Sequence, residues 1–288
     1  DLHLSLRRQR QMCIRDSVLS RIFRPTVLEV FEINNVELGL CFSVYGMVAI
    51  ISYLFGGPIA DKYPPRKLIA VALWLTSFGG LIYASFPSFF VLKVLYGYWG
   101  FTTVFLFWAP MIKAARIWGT SRTQLQAFGF LEGGRGLVGA AMGTLGVLIF
   151  AFFMGQEVST PSLEESRMAF QPVIYGSSII VAFAGVLVWF FMRLNDEQEQ
   201  KAVVNEISIK QIKTVLKIPS VLLLMVIVLC AYMGYKTTDV ISLFSKEVMH
   251  YNEVKSAQVA TFLLYARPIV AIILAVFFIR IQITLLLS

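Results

Sequence analysis

Charged side chains inside long apolar stretches are the part of this sequence that can do chemistry. Arg135 and Arg267 each lie near the middle of an apolar stretch of membrane length, and Glu132 lies one helical turn before Arg135. A charge at the bilayer centre costs at least about 2.5–3.5 kcal/mol, so it normally faces a protein interior or a water-filled cavity. Two such arginines favour a site that binds an anion. A Glu132–Arg135 ion pair that holds helices together is the structural alternative.

Arg267 is the stronger of the two substrate-binding candidates. It has no acidic residue within one turn on its own helix, and Pro268 follows it, which can bend the helix and leave a carbonyl free. Its planar guanidinium can bind an oxyanion through paired hydrogen bonds, which lysine cannot reproduce. Lys236 is a third substrate-binding candidate. With Asp239 one turn later, it is more simply explained as a partly solvated ion pair near the outer end of a span.

The composition places these charges in a membrane protein. The chain of 288 residues is 57% hydrophobic and only 15% charged, with a mean hydropathy of +0.73. Several apolar runs exceed the roughly 18–20 residues that cross about 30 Å of hydrocarbon. These runs predict an all-α, polytopic membrane helix bundle with about seven transmembrane helices. The net charge is +8, but the lysines and arginines cluster in short loops between spans, where they set the topology of the chain. We therefore expect no nucleic-acid partner.

Residue patterns for catalysis or metal binding are missing from the sequence. The three cysteines are scattered, there are two histidines, and no nucleophile–base set, phosphate-binding glycine loop or metal-ligand spacing occurs. We therefore expect neither an enzyme nor a bound metal or cofactor.

Apolar and polar runs divide the chain. Residues 1–17 are basic, lack periodicity and are predicted to be non-native. Residues 18–35 form an amphipathic segment. The polar connection 193–219 is a cytoplasmic linker with an amphipathic helix over 207–217, which has isoleucines on one face and lysines on the other. Seven spans are predicted, at 36–60, 68–86, 89–112, 127–154, 173–192, 220–244 and 258–279.

The lysines and arginines of the loops predict the orientation. Connections 61–67, 113–124 and 193–217 contain three, three and five of these residues, whereas 87–88, 155–168 and 246–255 contain none, one and two. The first set is therefore predicted to be cytoplasmic. The N-terminal end is then outside although it carries several arginines. This conflict is relieved if a first span has been lost and unrelated sequence has taken its place.

Small residues line one face of the span at 127–154. They recur at alternating three- and four-residue steps, a pattern that allows a second helix to approach closely. They are Gly129, Gly133, Gly136, Ala140 and Gly143.

The stretch 57–67 is predicted to be a tight cytoplasmic hairpin between two spans. Asp61 and Lys62 are expected at the end of the first helix, and two prolines prevent that helix from continuing. A glycine before them is expected to permit close helix approach. The spacing G-x-x-x-D-[RK]-x-x-x-[RK]-[RK] resembles the signature loop between spans two and three of the major facilitator superfamily of transporters. The matching residues are Gly57, Asp61, Lys62, Arg66 and Lys67, and the chain departs from the pattern at Pro64, where glycine is usual.

The resemblance implies how the chain is organised. Residues 18–192 would be the remnant of an N-terminal half with spans two to six, and 220–288 would begin a C-terminal half with spans seven and eight. Span one and spans nine to twelve would be missing, so we expect a truncated, inactive fragment. In the resembled fold, spans five and eight, which carry Arg135 and Arg267, face each other across a central cavity. Asp61 is expected to act in gating.

The function expected from these features is secondary active transport of a small solute by alternating access. The two arginines favour an organic or inorganic anion, and the run Glu132-Gly133-Gly134-Arg135 resembles uncharacterised transporters near the nitrate and organophosphate branches. A drug or sugar transporter of the same superfamily is one alternative, and a seven-helix receptor or sensor is another. We expect a monomer in a bacterial inner membrane, with a coupled ion or counter-solute and the lipid bilayer as its other partners.

Overall fold

The computed structural model describes residues 15–118, 124–154, 162–192 and 218–265, and every regular element in these ranges is helical. The first six α-helices are α1 (Arg15–Ile22), α2 (Arg24–Val30), α3 (Asn35–Lys62), α4 (Pro65–Tyr83), α5 (Phe89–Gly100) and α6 (Ala109–Trp118). A π-helical segment, Phe101–Trp108, joins α5 to α6 without a break. Then follow α7 (Gln124–Met154), α8 (Leu163–Phe191), α9 (Pro219–Lys236), a short 3₁₀ turn (Thr237–Val240), α10 (Ile241–Glu247) and α11 (253–265). The predicted all-α bundle is confirmed.

Five of the described helical stretches are long and apolar enough to cross a membrane. They are Asn35–Tyr53, Pro65–Tyr83, Phe89–Ala115, Gly133–Met154 and Leu163–Phe191. Each of them overlaps one of the first five predicted spans. The predicted span 220–244 is interrupted by the 3₁₀ turn Thr237–Val240, and only the beginning of the predicted span 258–279 lies in the described part of the chain.

Side-chain caps explain where two of these helices begin. The Asn34 side chain accepts hydrogen bonds from the backbone N–H groups of Val36 and Glu37, and the Glu37 carboxylate accepts one from Asn34 N–H, each at 2.9 Å. Ser162 and Glu165 form the same reciprocal cap at the start of α8. Because of this cap, α8 begins about ten residues before the predicted span at 173–192.

Helices α1 and α2 pack against the rest of the bundle. Ile22, Val27 and Val30 are fully buried, and the Phe23 ring packs 5.2 Å from the ring of Phe150 between ring centroids. Two of their charged residues, Arg21 and Glu29, pair with residues far away in the sequence. These pairs help to explain how the two helices can be buried.

Glycines bring helices together where a Cβ atom would collide with the neighbour. A Cβ on Gly100 would lie 2.7 Å from the backbone oxygen of Tyr45 in α3, and one on Gly143 would lie 2.5 Å from Ile22 Cδ1 in α1. Ala140, one turn before Gly143, is fully buried. The small-residue face of α7 therefore packs closely against another helix at Gly143, as predicted, and that helix is α1.

Candidate functional site

The turn between α3 and α4 has the tight geometry that its prolines predict. Helix α3 ends at Lys62 and α4 begins at Pro65, leaving a two-residue connection. Tyr63 N–H donates back to the Ile59 carbonyl at 3.1 Å, and Lys67 N–H donates to the Pro64 carbonyl at 3.1 Å. Pro64 has φ −60° and ψ 128°, which is ordinary for proline. Since no positive φ is required there, a proline fits where the resembled family usually has glycine. We call this end of the bundle the hairpin end, and the opposite end, following the predicted orientation, the outer end.

Gly57 does not mediate a close helix approach, contrary to our prediction. A Cβ at this position would meet no atom within 4 Å. The preceding residue is the one that contacts a neighbour, since a Cβ on Gly56 would lie 3.3 Å from the backbone oxygen of Phe105. The motif glycine, Gly57, is therefore one residue away from the glycine that makes the contact, Gly56. The sequence alone does not show which of two adjacent glycines faces a neighbouring helix.

The bases of the hairpin lie at its surface. The Arg66 guanidinium lies 6.0 Å from the ring centroid of Trp189 in α8, while Lys62 and Lys67 are exposed. The side chain of Asp61 lies outside the described side chains, so its gating role stays a prediction.

Lys113 is a buried cation at the hairpin end that the sequence analysis treated only as the end of a span. Its side chain is 8% exposed, and its ammonium donates a 2.9 Å hydrogen bond to the carbonyl of Ala60. This bond connects α6 to the last turn of α3, one residue before Asp61. Cations commonly bind the last carbonyls of a helix, and a lysine following an apolar span is the weak sequence signal for such a contact.

Arg135 lies against an aromatic ring, two residues into the membrane-length stretch Gly133–Met154 of α7. Its side chain is half-buried, and its guanidinium carbon lies 5.3 Å from the ring centroid of Trp108, the last residue of the π-helical segment. A π-helical segment changes which face of a helix points inward and is frequent at functional sites. The side chain of Glu132 lies outside the described side chains, so the Glu132–Arg135 pair stays a prediction.

Helices α7 and α11 pack against each other about two turns after Arg135. The hydroxyls of Thr144 and Tyr265 lie 2.8 Å apart, and a Cβ on Gly143 would lie 3.6 Å from both Leu264 and Thr261. Tyr265 is the last described residue of α11. Arg267 itself and the side chain of Lys236 lie outside the described parts of the chain.

Asp239 pairs with a residue that the sequence analysis did not select. Arg21 Nε lies 2.6 Å from Asp239 Oδ1, and the two side chains are only 7% and 15% exposed. The Ser242 hydroxyl also donates to the Arg21 carbonyl at 2.7 Å. The predicted pair with Lys236, one turn away, stays a prediction, because the Lys236 side chain lies outside the described side chains. Local spacing could not have indicated an arginine more than 200 positions away.

A second group of charged and polar side chains lies at the outer end. Like the Arg21–Asp239 pair, it connects the first half of the chain to the segment that follows α9. Lys246 Nζ lies 2.6 Å from Glu253 Oε1 and 3.7 Å from Glu29 Oε2. The Thr26 hydroxyl donates to Glu253 Oε2 at 2.9 Å, and the Ser166 hydroxyl donates to Glu29 Oε1 at 3.2 Å. We call these five residues the outer cluster. Among the described residues, no three histidine, cysteine, aspartate or glutamate side chains come together as a metal site.

Five helices of membrane length, two of them joined by a two-residue connection, define a polytopic membrane protein. Comparison with known families is more specific. The chain matches the Major Facilitator Superfamily over residues 14–287 and therefore belongs to it. This confirms the resemblance drawn from the hairpin motif.

Three curated proteins are similar to this chain. Inner membrane protein YqcE of Escherichia coli K12 is 32% identical over 178 residues, which cover 62% of this chain and 40% of that protein. Inner membrane protein YihN of the same strain is 25% identical over 185 residues, which cover 64% and 41%. The uncharacterized protein MG294 homolog of Mycoplasma pneumoniae is 30% identical over 188 residues, which cover 58% and 37%. The chain thus spans about 40% of the length of the curated relatives it matches. No solved structure matches it.

These findings confirm part of what the sequence predicted. The chain is an integral, multi-pass membrane protein, and the two E. coli relatives are inner membrane proteins, the location predicted here. The family is one of transporters, so membership of it favours a transporter over a seven-helix receptor.

Proposed function

We propose that the protein is a secondary active transporter that carries a small organic or inorganic anion by alternating access, in a bacterial inner membrane. Membership of the Major Facilitator Superfamily supports transport of a solute. The observation that favours an anion is the position of Arg135 within the bundle, half-buried beside Trp108 on a helix that packs against α11. Arg267 follows α11 two residues after its last described position.

An arginine in this position is suited to bind an anion. A fixed positive charge in the membrane is costly unless aromatic, acidic or solute groups offset the loss of water. The Trp108 ring offsets part of this cost through a cation–π interaction. The N–H donors of a guanidinium lie in one plane, and their geometry fits the oxygens of a carboxylate, phosphate or sulfate.

The remaining assignments belong to the same proposal. Arg267 is the principal substrate-binding residue, Arg135 contributes second, and Lys236 is a weaker candidate. Asp61 is a gating residue whose carboxylate closes the hairpin side by pairing with bases or a helix N-terminus. A coupled ion or counter-solute supplies the driving force, and the transporter is a monomer.

Conservative arginine substitutions test the proposal in the full-length protein reconstituted into liposomes. We expect Arg267→Lys to abolish anion uptake or to raise its apparent KM by on the order of tenfold, because the paired hydrogen bonds are lost. Arg135→Lys should have a smaller effect. Lys93→Arg is a matched control, since Lys93 lies 4.5 Å from the ring centroid of Phe89 near the predicted outer end of its span. Unchanged anion uptake by both arginine variants would refute the assignment.

A further inference from the structure

Two basic residues lie at the hairpin end of the contact between α4 and α8. Arg66 and Lys67 belong to the first turn of α4, and the Arg66 guanidinium carbon lies 6.0 Å from the ring centroid of Trp189, near the end of α8. Lys67 is exposed. Among the side chains that the structure describes, no carboxylate lies within 4.0 Å of either base. Within this part of the chain, their charges are therefore not neutralised by an ion pair.

Two tryptophans lie where α4 and α8 meet, a line of contact that we call the α4–α8 seam. The ring centroids of Trp74 and Trp189 lie 5.6 Å apart. Gly185 leaves room for the first of these rings, since a Cβ there would lie 2.6 Å from Trp74 Nε1. Farther from the hairpin end, the Ser77 hydroxyl donates to the Ser178 carbonyl at 2.8 Å, which also holds the two helices together. Tryptophan is enriched at membrane–water interfaces, so an indole beside the two bases is typical of headgroup depth.

Apolar side chains continue the seam toward the middle of the membrane. On each helix three of them recur at the same spacing, i, i+3 and i+7, and they are between 37% and 65% exposed. They are Val71, Trp74 and Phe78 on α4, and Phe183, Val186 and Phe190 on α8. Lys67 precedes Val71 by about one helical turn, so this base and the apolar stripe share one face of α4. Because both helices are long and apolar enough to cross a membrane, exposed stripes of this kind are suited to face hydrocarbon.

We propose that the α4–α8 seam binds an anionic phospholipid, whose headgroup phosphate is held by Arg66 and Lys67 and whose acyl chains lie along the two apolar stripes. The N–H donors of a guanidinium fit phosphate oxygens, and the lysine adds a second positive charge. Each basic residue near the membrane surface raises the affinity for anionic lipid about fivefold. Two bases without a described acidic partner therefore favour a headgroup with a net negative charge, such as that of phosphatidylglycerol, over a zwitterionic one.

Trp189 is the positioning residue of this site. Its ring is partly buried against apolar residues of α4 and α8, so it offers Arg66 a fixed surface. An arginine that a cation–π contact holds against an indole loses less conformational freedom on binding a phosphate than one that moves freely in water. The ring therefore raises the affinity for lipid without adding charge.

Native mass spectrometry of the full-length protein in detergent tests the site. The protein is titrated with phosphatidylglycerol, and the dissociation constant of the first bound lipid is measured. Phosphatidylcholine with the same acyl chains is the zwitterionic comparison, and an excess of glycerol 3-phosphate tests whether a headgroup alone occupies the site. We expect phosphatidylglycerol to bind more tightly than phosphatidylcholine. Glycerol 3-phosphate should not displace it, because it lacks the acyl chains that contact the stripes.

Neutral substitutions distinguish the seam from general attraction to a positive hairpin. We expect Arg66→Gln to weaken the binding of phosphatidylglycerol about fivefold, and the double variant Arg66→Gln/Lys67→Gln about 25-fold. Trp189→Leu leaves the charge unchanged and should still weaken binding severalfold. Lys62→Gln is the matched control, because it removes one charge from the same hairpin, yet Lys62 lies 5.9 Å from the ring centroid of Tyr63 and not at the seam. It should change the affinity less than about twofold.

Several results would overturn the lipid site. Equal weakening by Lys62→Gln and Arg66→Gln would show general attraction to the hairpin alone. Wild-type affinity in the double variant would show that the lipid binds elsewhere. Equal affinities for the two lipids, or displacement by glycerol 3-phosphate, would also contradict the proposal. The site does not depend on the proposed anion transport, because lipid binding is measured without uptake.

Discussion

Two glycine-to-alanine substitutions in the bundle should change stability in opposite directions. A Cβ on Gly100 would lie 2.7 Å from the backbone oxygen of Tyr45, whereas ordinary van der Waals contact begins near 3.4 Å. The obstructing atom belongs to the backbone, so no side-chain rotation can relieve the clash. Helices α3 and α5 would have to separate by about half an ångström, and overpacking of this kind costs about 1–3 kcal/mol. Gly57 has no atom within 4 Å of the added Cβ.

The expected magnitudes follow from these two environments. Alanine is about 1 kcal/mol more favourable than glycine in a helix interior. Gly57→Ala should therefore stabilise the protein by about 1 kcal/mol, and Gly100→Ala should destabilise it by up to about 2 kcal/mol after the same gain is subtracted. Each kcal/mol corresponds to about 2–4 °C in a protein of 150–250 residues, and somewhat less in a longer chain.

Thermal unfolding of the purified protein in detergent measures both variants against the wild type under identical conditions. We predict the highest midpoint for Gly57→Ala, an intermediate one for the wild type and the lowest for Gly100→Ala. A lower midpoint for Gly57→Ala would show that the motif glycine contacts a neighbour after all. A midpoint for Gly100→Ala at or above that of the wild type would contradict the close approach of α3 and α5.

Three further predictions concern the hairpin end and the orientation of the chain. Cysteine at Ser85 should be labelled by an impermeant reagent from outside and cysteine at Tyr63 should not; the reverse pattern would contradict the predicted topology. Lys113→Met should lower the thermal midpoint, because the buried Ala60 carbonyl loses a charged donor worth about 1.5–3 kcal/mol, and a wild-type midpoint would contradict this role. Asp61→Asn in the full-length protein should impair uptake while membrane abundance stays near normal, and full uptake by that variant would reject its gating role.

Features set by local sequence were predictable. The prolines of the hairpin stop α3 at Lys62 and start α4 at Pro65, and long apolar runs indicate the first five spans. The motif at 57–67 was sufficient to identify the family. Small residues on α7 predicted a close helix contact, which the structure places at Gly143.

Features set by distant partners were not predictable. Arg21 and Glu29 contribute to the amphipathic pattern of residues 18–35, but that pattern does not indicate their partners Asp239 and Lys246, more than 200 positions away. The contact of Lys113 was not predictable either, because its partner is the backbone carbonyl of Ala60. Every residue has such a carbonyl, so the residue type does not indicate which one is bound. A charge pattern on one helix does not show whether water or another helix satisfies it.

Solute uptake tests the central claim of anion transport most directly. The full-length wild-type protein, reconstituted into liposomes, is supplied with small carboxylates, phosphate esters and inorganic oxyanions, each beside a neutral analogue of similar size. We predict saturable, gradient-dependent uptake of at least one anion and no comparable uptake of its neutral analogue. Saturable uptake of neutral solutes alone would contradict the claim.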